Sequence, residues 1–558
     1  MTELEKKENF SEWYNQIVRK AEIIDDRFPV KGMPSYPHYG FCTIKNIFSI
    51  LEKMLDKEKY RAIWMPILIP KEIFQKEEEH IQGFGSEVFY VKPSNPLEEE
   101  KEIYYILRPT SETELYYMFS LWISSYRDLP LLTYMTNTVY RYETKATKPL
   151  IRGREILWVE SHTAHKDIDD AYKNIKKSME IYSNLFWNVL SIPHVWVVRP
   201  DWDKFAGAQK TFAADTILAD GKFLQIGTTH MLGQNFSKAF NIKFQDRHPY
   251  VKISENIFEA KSKNGEYKFI INIFDNTIEI KFYEKDIEKA KILDKIEFSG
   301  EISEDNEELI EKINKILEKH FPKEFLDLDN TKYVWQTCFG VSMRLLAAVI
   351  GIHGDENGLI LPFSIAPIQI IIIPIYYSES ERNKILDYCK KIENILSNKY
   401  RVEIDDRDDK TPGWKFNYWE MKGVPIRIEI GFKEFESETV TVCDRLTKKR
   451  KSIHLNKIEE CIQETVNEMD LKLKERSKKF FEESIIKVTS IEDLKSVIEN
   501  KKVAKIPFCL NEECGKKLKN TLNIDVRGYD IIPEVAEDFE CIICKNKAKY
   551  WCYAGKSY

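Results

Sequence analysis

VYRYETKATKPLIRGREILWVESHTAH, residues 139–165, is the stretch on which the reading of this chain turns. A polar loop separates two flanks that read as strands, the second running to His165. Strand side chains alternate, so Trp158, Glu160 and His162 fall on one face. An indole, a carboxylate and an imidazole in a row can make a pocket with an apolar wall and polar contacts. An ordinary sheet face with satisfied polar groups would read the same way. Arg141-Tyr142-Glu143 closes the first strand, but an Arg-x-Glu arises by chance in most chains of this length.

Three further stretches give it weight: Trp64-Met65-Pro66-Ile67-Leu68-Ile69-Pro70, Arg108-Pro109-Thr110-Ser111-Glu112 and Gly340-Val341-Ser342-Met343-Arg344. Taken in order with Arg141-Tyr142-Glu143, they resemble the motif set of class II aminoacyl-tRNA synthetases. Amino-acid activation joins a carboxylate to the α-phosphate of ATP and expels pyrophosphate. Two anions must meet while charge builds on phosphorus and the leaving group, so preorganised guanidinium groups from separate segments should converge. Arg141 and Arg344 are the candidates; alone, each would read as a surface ion-pair residue.

Size and composition agree with a multidomain globular protein. The 558 residues are 43% hydrophobic and 31% charged, with a net charge of -6. That balance gives no global basic field, so an RNA partner must be met by local patches. Met1–Phe10 has no apolar core and is not expected to be a secretory signal, and Ile368–Ile375 is too short to span a bilayer. Ten cysteines without a dense framework suit a reducing cytoplasm better than disulfides. Cys509-x4-Cys514 and Cys541-x2-Cys544 have the spacing of a tetrahedral zinc site, with Cys552 a competing sulfur and paired free thiols or a disulfide the plainer reading.

Along the chain, 1–246 alternates helical and strand patterns, and 331–365 resumes that composition. Between them, 247–330 reads as an α+β insert, with strands at Tyr267–Ile271 and Thr277–Tyr283. Its helix carries Leu309, Ile310, Ile313, Ile316 and Leu317 on one face, with Glu304, Asp305 and Glu307 at its start. A separate α/β unit spans 366–455, and 456–558 holds an amphipathic helix and the paired cysteines.

The resemblance sharpens over Glu79–Phe84, Arg108–Thr113, Arg141–His165, Asp203–Ala208, Gln225–His230, Leu232–Lys238, His353–Asp355 and Gly358–Pro362. These stretches resemble the prolyl-tRNA synthetases of the archaeal and eukaryotic-cytosolic type, over nearly the whole chain outside the insert. The resemblance implies a class II antiparallel-sheet catalytic domain, an α/β anticodon-binding domain and a small C-terminal zinc-binding domain. It implies activation of L-proline by ATP with Mg²⁺, then transfer to tRNA(Pro), by a cytoplasmic homodimer whose interface is built at the Pro66 segment. A non-catalytic, tRNA-binding paralogue would be expected to have lost a phosphate arginine or the Thr110/Glu112 pair, and this chain has all of them.

Residue by residue, the resemblance implies that Thr110 and Glu112 bind the prolyl nitrogen, whose two N–H donors suit a hydroxyl and a carboxylate. Trp158, Glu160, His162 and His230 would line the proline pocket. Arg141 would bridge the proline carboxylate and the α-phosphate, with Glu143 on the adenine amino group and Arg152 against the outer phosphates. Gln225, Thr228, Ser342 and Arg344 would complete the ATP site. Anticodon contacts are implied in Asp405–Asp408, Pro412–Phe416 and Trp419-Glu420, although Trp414 and Trp419 equally suit core positions. The family's Gly-Pro-Lys near the end of that unit is here Gly431-Phe432-Lys433. Cys509, Cys514, Cys541 and Cys544 would hold a structural Zn²⁺. Tyr558 would direct its carboxylate toward the active site. No editing role is read into the insert, which departs from the family's short crossing.

Overall fold

The computed structural model describes residues 7–78, 88–92, 105–144, 146–246, 250–254, 257–261, 267–274, 277–284, 291–297, 307–320 and 331–558. Glu79–Phe84, Glu304 and Asp305 lie outside the described residues.

The strands Leu131–Tyr140 and Glu155–His165 pair antiparallel, as the alternation predicts, and Trp335–Ser342 pairs antiparallel with the second of them. Lys222–Gly233, Lys210–Ile217 and Val195–Val198 follow in the same sense. Register then sets the site. His162 and His230 both lie opposite Cys338, and Glu160 and Thr228 both lie opposite Gly340. Residues far apart in sequence therefore form rows across one face. The register slips between Ala214 and Asp215, leaving Gln225 opposite Asp215 and Gly227 opposite Ala214. A slip of this kind re-aims side chains, which is how Gln225 and Thr228, an odd number apart, come to line one cleft.

The opposite face is covered by helices. Asp167 caps Ile168–Ser183 by accepting from the Asp170 amide at 2.8 Å. Ile168–Ser183, Arg344–His353 and the N-terminal helices Phe10–Lys20 and His38–Lys57 bury Trp13, Tyr14, Ile17, Leu51, Tyr182 and Leu346.

The large sheet does not stop at the edge of this unit. Asp525–Asp530 pairs with Val195–Val198, and Tyr550–Ser557, Val503–Phe508 and Ile485–Lys487 continue it to eleven strands. Gly528 makes the join possible: its φ is +116°, and a Cβ there would lie 2.0 Å from the Val198 carbonyl oxygen.

The unit after 365 is a five-stranded sheet in the order 402–404, 370–374, 426–430, 439–444, 450–454, parallel in its first three strands. Helix Ile458–Glu483 begins in this unit's core through Ile458, Cys461, Ile462 and Val466. Lower down, Ser477 donates to the Ser191 carbonyl at 2.8 Å. Asp355 and Arg445 bind in two-pronged fashion, at 2.7 and 3.0 Å, between the large-sheet unit and the unit after 365. The insert is an antiparallel five-stranded meander followed by the helix Glu307–His320, which buries Leu309, Ile313, Ile316 and Leu317. Its ends are gathered by the pairing of Lys243–Gln245 with Thr331–Tyr333. No helix among the described residues is long and apolar enough to cross a membrane.

Candidate active site

A cleft of about 280 Å³ lies over the rows of the large sheet. Thr110, Glu112, Arg141, Trp158, Glu160, His162, Gln225, Thr228, His230, Ser342 and Arg344 all line it. One end is a closed network of hydrogen bonds. Thr110 Oγ1 donates to Glu112, and the Cys338 thiol donates to the other Glu112 oxygen at 3.6 Å. Glu160 accepts from Ser111, from Asn137 Nδ2 at 2.8 Å and from His162 Nε2 at 2.9 Å. Trp158 Nε1 donates to Asn137 Oδ1 at 2.6 Å, which fixes the indole as a wall. Burial works against the Glu160 charge, yet the bonds from His162, Ser111 and Asn137 outweigh it and hold the carboxyl below its usual range. Burial likewise opposes charge on His162, but Glu160 and Glu112 raise its pKa. His230 goes the other way: burial, then His162 and Arg199, push it down to about 3. It is a neutral imidazole, 2.9 Å from Thr211 Oγ1 and with its ring centroid 4.8 Å from that of Phe205.

The other end is cationic. Arg141 donates to the Pro109 carbonyl at 3.0 Å and lies 5.8 Å from the Trp158 ring centroid. Arg344 donates to the Ile151 carbonyl at 2.7 Å. Burial lowers its pKa to about 10, helped by Arg141, Arg152 and Arg527. Glu143 and Arg152, expected against the nucleotide, are not among the lining residues; they pair with each other at 3.7 Å.

Three family models match the chain: tRNA synthetase class II core domain (G, H, P, S and T) over 91–256, Anticodon binding domain over 369–465, and Prolyl-tRNA synthetase, C-terminal over 491–558. The proline–tRNA ligase of Nanoarchaeum equitans is 46% identical over 557 residues, covering 100% of both chains. The chain belongs to the prolyl-tRNA synthetases. That of Thermofilum pendens is 38% identical over 556 residues, covering 99% of this chain and 98% of its own. A solved prolyl-tRNA synthetase of Giardia lamblia, in complex with prolyl-adenylate, superposes with a TM-score of 0.81 at 29% identity over 100% of each chain.

Within this prolyl-tRNA synthetase, the four paired cysteines gather as their spacing predicts. Cys509 lies 3.7 Å from Cys514 and 3.8 Å from Cys544, and Cys541 completes a group with all sulfurs within 4.8 Å. Cys552 is buried but outside that group. In the anticodon-binding unit the two tryptophans part company. Trp419 is buried and donates to Asp405 at 2.8 Å, a core role. Trp414 stacks on Tyr418 at 5.0 Å and 14°, with Arg407 over both rings at 4.9 and 4.6 Å. Gly431 caps the short helix Phe432–Glu436, its N–H bonded to Glu434 at 3.0 Å. Tyr558 bonds Asp220 at 2.6 Å and accepts from Lys148, a residue of the 141–154 loop, at 3.1 Å.

Sequence reasoning did not single out Cys338, Thr211, Asn137 or Phe205. Cys338 stands two and four residues before Gly340 and Ser342 on one strand, so alternation carried a signal for it. Asn137 carried none.

Proposed function

We propose that this cleft ligates proline to tRNA in two steps, activation by ATP and transfer from prolyl-adenylate. What supports the reading is the convergence, on one cleft, of a carboxylate–hydroxyl pair and two arginines drawn from three separate segments. Thr110 and Glu112 accept the two N–H donors of the prolyl nitrogen, and Trp158, Glu160, His162 and His230 surround the ring. Arg141 bridges the proline carboxylate and the α-phosphate. Arg344, Ser342, Gln225 and Thr228 hold the nucleotide, and Mg²⁺ brought with ATP would supply further positive charge there. Glu143 and Arg152 reach adenine and the outer phosphates once their own pair opens. No side chain acts as a covalent nucleophile. Cys338 is in the pocket, but burial and then Glu112 raise its thiol pKa well above the usual value, against thiolate formation.

The anticodon-binding unit takes tRNA(Pro), with Trp414, Tyr418 and Arg407 as a platform for splayed bases. Cys509, Cys514, Cys541 and Cys544 hold Zn²⁺ in a closed, structural site. The enzyme pairs with a second copy at Trp64–Leu68, where Trp64 is 75% exposed, and works in the reducing cytoplasm. Proline-dependent exchange of labelled pyrophosphate into ATP, run with all twenty amino acids, tests the activity. Exchange is expected with proline alone and is lost in Arg344→Ala. Protein that binds tRNA but exchanges with no amino acid overturns the reading.

A further inference from the structure

Arg199, Asp215 and Arg527 form a buried charged triad beneath the nucleotide end of the cleft, and its third member comes from the C-terminal unit. Asp215 is 0% exposed, Arg199 4% and Arg527 8%. Arg199 reaches both Asp215 oxygens at 2.9 and 2.8 Å, and Arg527 reaches both at 2.9 and 3.1 Å. The Arg527 carbonyl accepts from Arg199 Nη1 at 2.7 Å. Arg199 Nε also lies 3.7 Å from Asp203, and a further contact leads into the cleft: Nη2 donates to Gln225 Oε1 at 2.9 Å.

We propose that Arg527 is a positioning residue for ATP, acting through Asp215 and Arg199 to orient the Gln225 carboxamide. The inference rests on Gln225 being a nucleotide contact, as under the proposed function. A guanidinium only donates, so the amide oxygen of Gln225 must face Arg199 and its NH₂ is the group offered to acceptors in the cleft. Asp215 is shared by two forks. Without the Arg527 fork, Asp215 is bonded by Arg199 alone and is free to shift, so the hold of Arg199 on Gln225 loosens. The placement of these residues is specific to this use. Asp215 lies opposite Gln225 at the register slip, and Gly528 seats the neighbouring backbone against Val198. An interface ion pair serving only domain docking would have no need of a line into the cleft.

The test uses the full-length, zinc-bound enzyme and steady-state pyrophosphate exchange. Arg527→Met is expected to raise KM for ATP about tenfold, with KM for proline changing less than about twofold. Arg527→Lys, keeping the charge but not the fork, is expected to give about a threefold rise. It decides the matter if Arg527→Met fails to fold, a wild-type KM for ATP then overturning the proposal. Gln225→Leu should match Arg527→Met, and the double variant should be little worse than either, because both break one line of contacts. Effects that multiply overturn the proposal. So does an equal rise in Tyr553→Phe, which removes a 3.0 Å bond to Asp530 in the same unit without touching the triad. If Gln225→Leu raises KM for ATP and Arg527→Met does not, the positioning role alone falls. If Gln225→Leu leaves it unchanged, the reading of Gln225 falls and this inference with it.

Discussion

At the end of the cleft proposed to take proline, Glu112 is met by Thr110 and Cys338, and Glu160 by Ser111, Asn137 and His162. At the end proposed for the nucleotide, Arg344 lies among Arg141, Arg152 and Arg527, each of which disfavours its charge, with Asp215 opposing them. The first arrangement is preorganised by the protein's own donors, so a small ligand meets groups already aimed and little needs to rearrange. The second gathers like charges whose natural counter-ion is a polyphosphate. In the proposed reading, rigidity serves selection of a compact amino acid, while a cluster of cations serves capture of the triphosphate.

The comparison breaks most visibly at Arg344. Arg344→Met is expected to lower exchange activity by about 10²–10³-fold, the scale of losing one transition-state donor. If the arginines repel, melting of the ligand-free variant should fall by no more than about 2 °C, and the stabilisation normally given by ATP should shrink. A large drop in ligand-free melting temperature would mean that Arg344 is a structural group and that the two ends do not differ as described.

Glu112→Gln probes the other side. It keeps shape and volume but replaces the carboxyl group proposed to meet the prolyl ammonium. KM for proline should rise at least about tenfold, with KM for ATP nearly unchanged. Equal changes in both constants would show that the two ends are not separable.

Much of this cleft was legible because its chemistry is local. Arg108–Glu112, Arg141–Glu143 and Gly340–Arg344 are short motifs, and period-two alternation set Trp158, Glu160 and His162 on one face. What was not legible depends on register. The resemblance named Gln225 and Thr228, but their sharing of one cleft goes through a one-residue slip that no alternation rule anticipates. Asn137 reaches Glu160 only because its strand pairs Asn137 with Trp158. The fold shows the same divide. Composition and motif suggest an insert and separate units after 365, but not that the C-terminal strands extend the catalytic sheet to eleven, because pairing between distant segments leaves no local trace.

That continuity gives a smaller effect on the same comparison. Cys514→Ser, or prolonged chelation, should loosen the C-terminal unit and lower the melting temperature. Through Asp525–Asp530, which pairs with Val195–Val198 next to Arg199, it should raise KM for ATP a few-fold more than KM for proline. Both constants rising together would indicate that the C-terminal strands support the cleft as a whole rather than its nucleotide end.

Glu114 sharpens the contrast from beneath the proline end. It sits in the first turn of the helix Glu112–Trp122 and, where the Glu160 carboxyl is held down, its own is displaced upward. Burial is the main cause and Glu160 and Glu112 add to it, against a lowering by Arg108, so the pKa rises to about 8. Arg108 lies 3.5 Å away, but its donors are directed at the Thr138 and Met65 carbonyls at 2.9 and 3.1 Å. Proximity therefore does not compensate the burial. The sign follows from proton binding. Between the unfolded value near 4.5 and the folded value of about 8, the folded state holds the proton and the unfolded state does not. This group's contribution to stability is then fully favourable below the unfolded pKa, declines as pH rises through that window, and levels off above it. Glu114→Gln should remove that slope and be more stable than the parent at alkaline pH, as read by urea unfolding at a series of pH values. A true ion pair with Arg108 would reverse the result: the parent would gain stability above the ordinary carboxylate range and the glutamine variant would lose it.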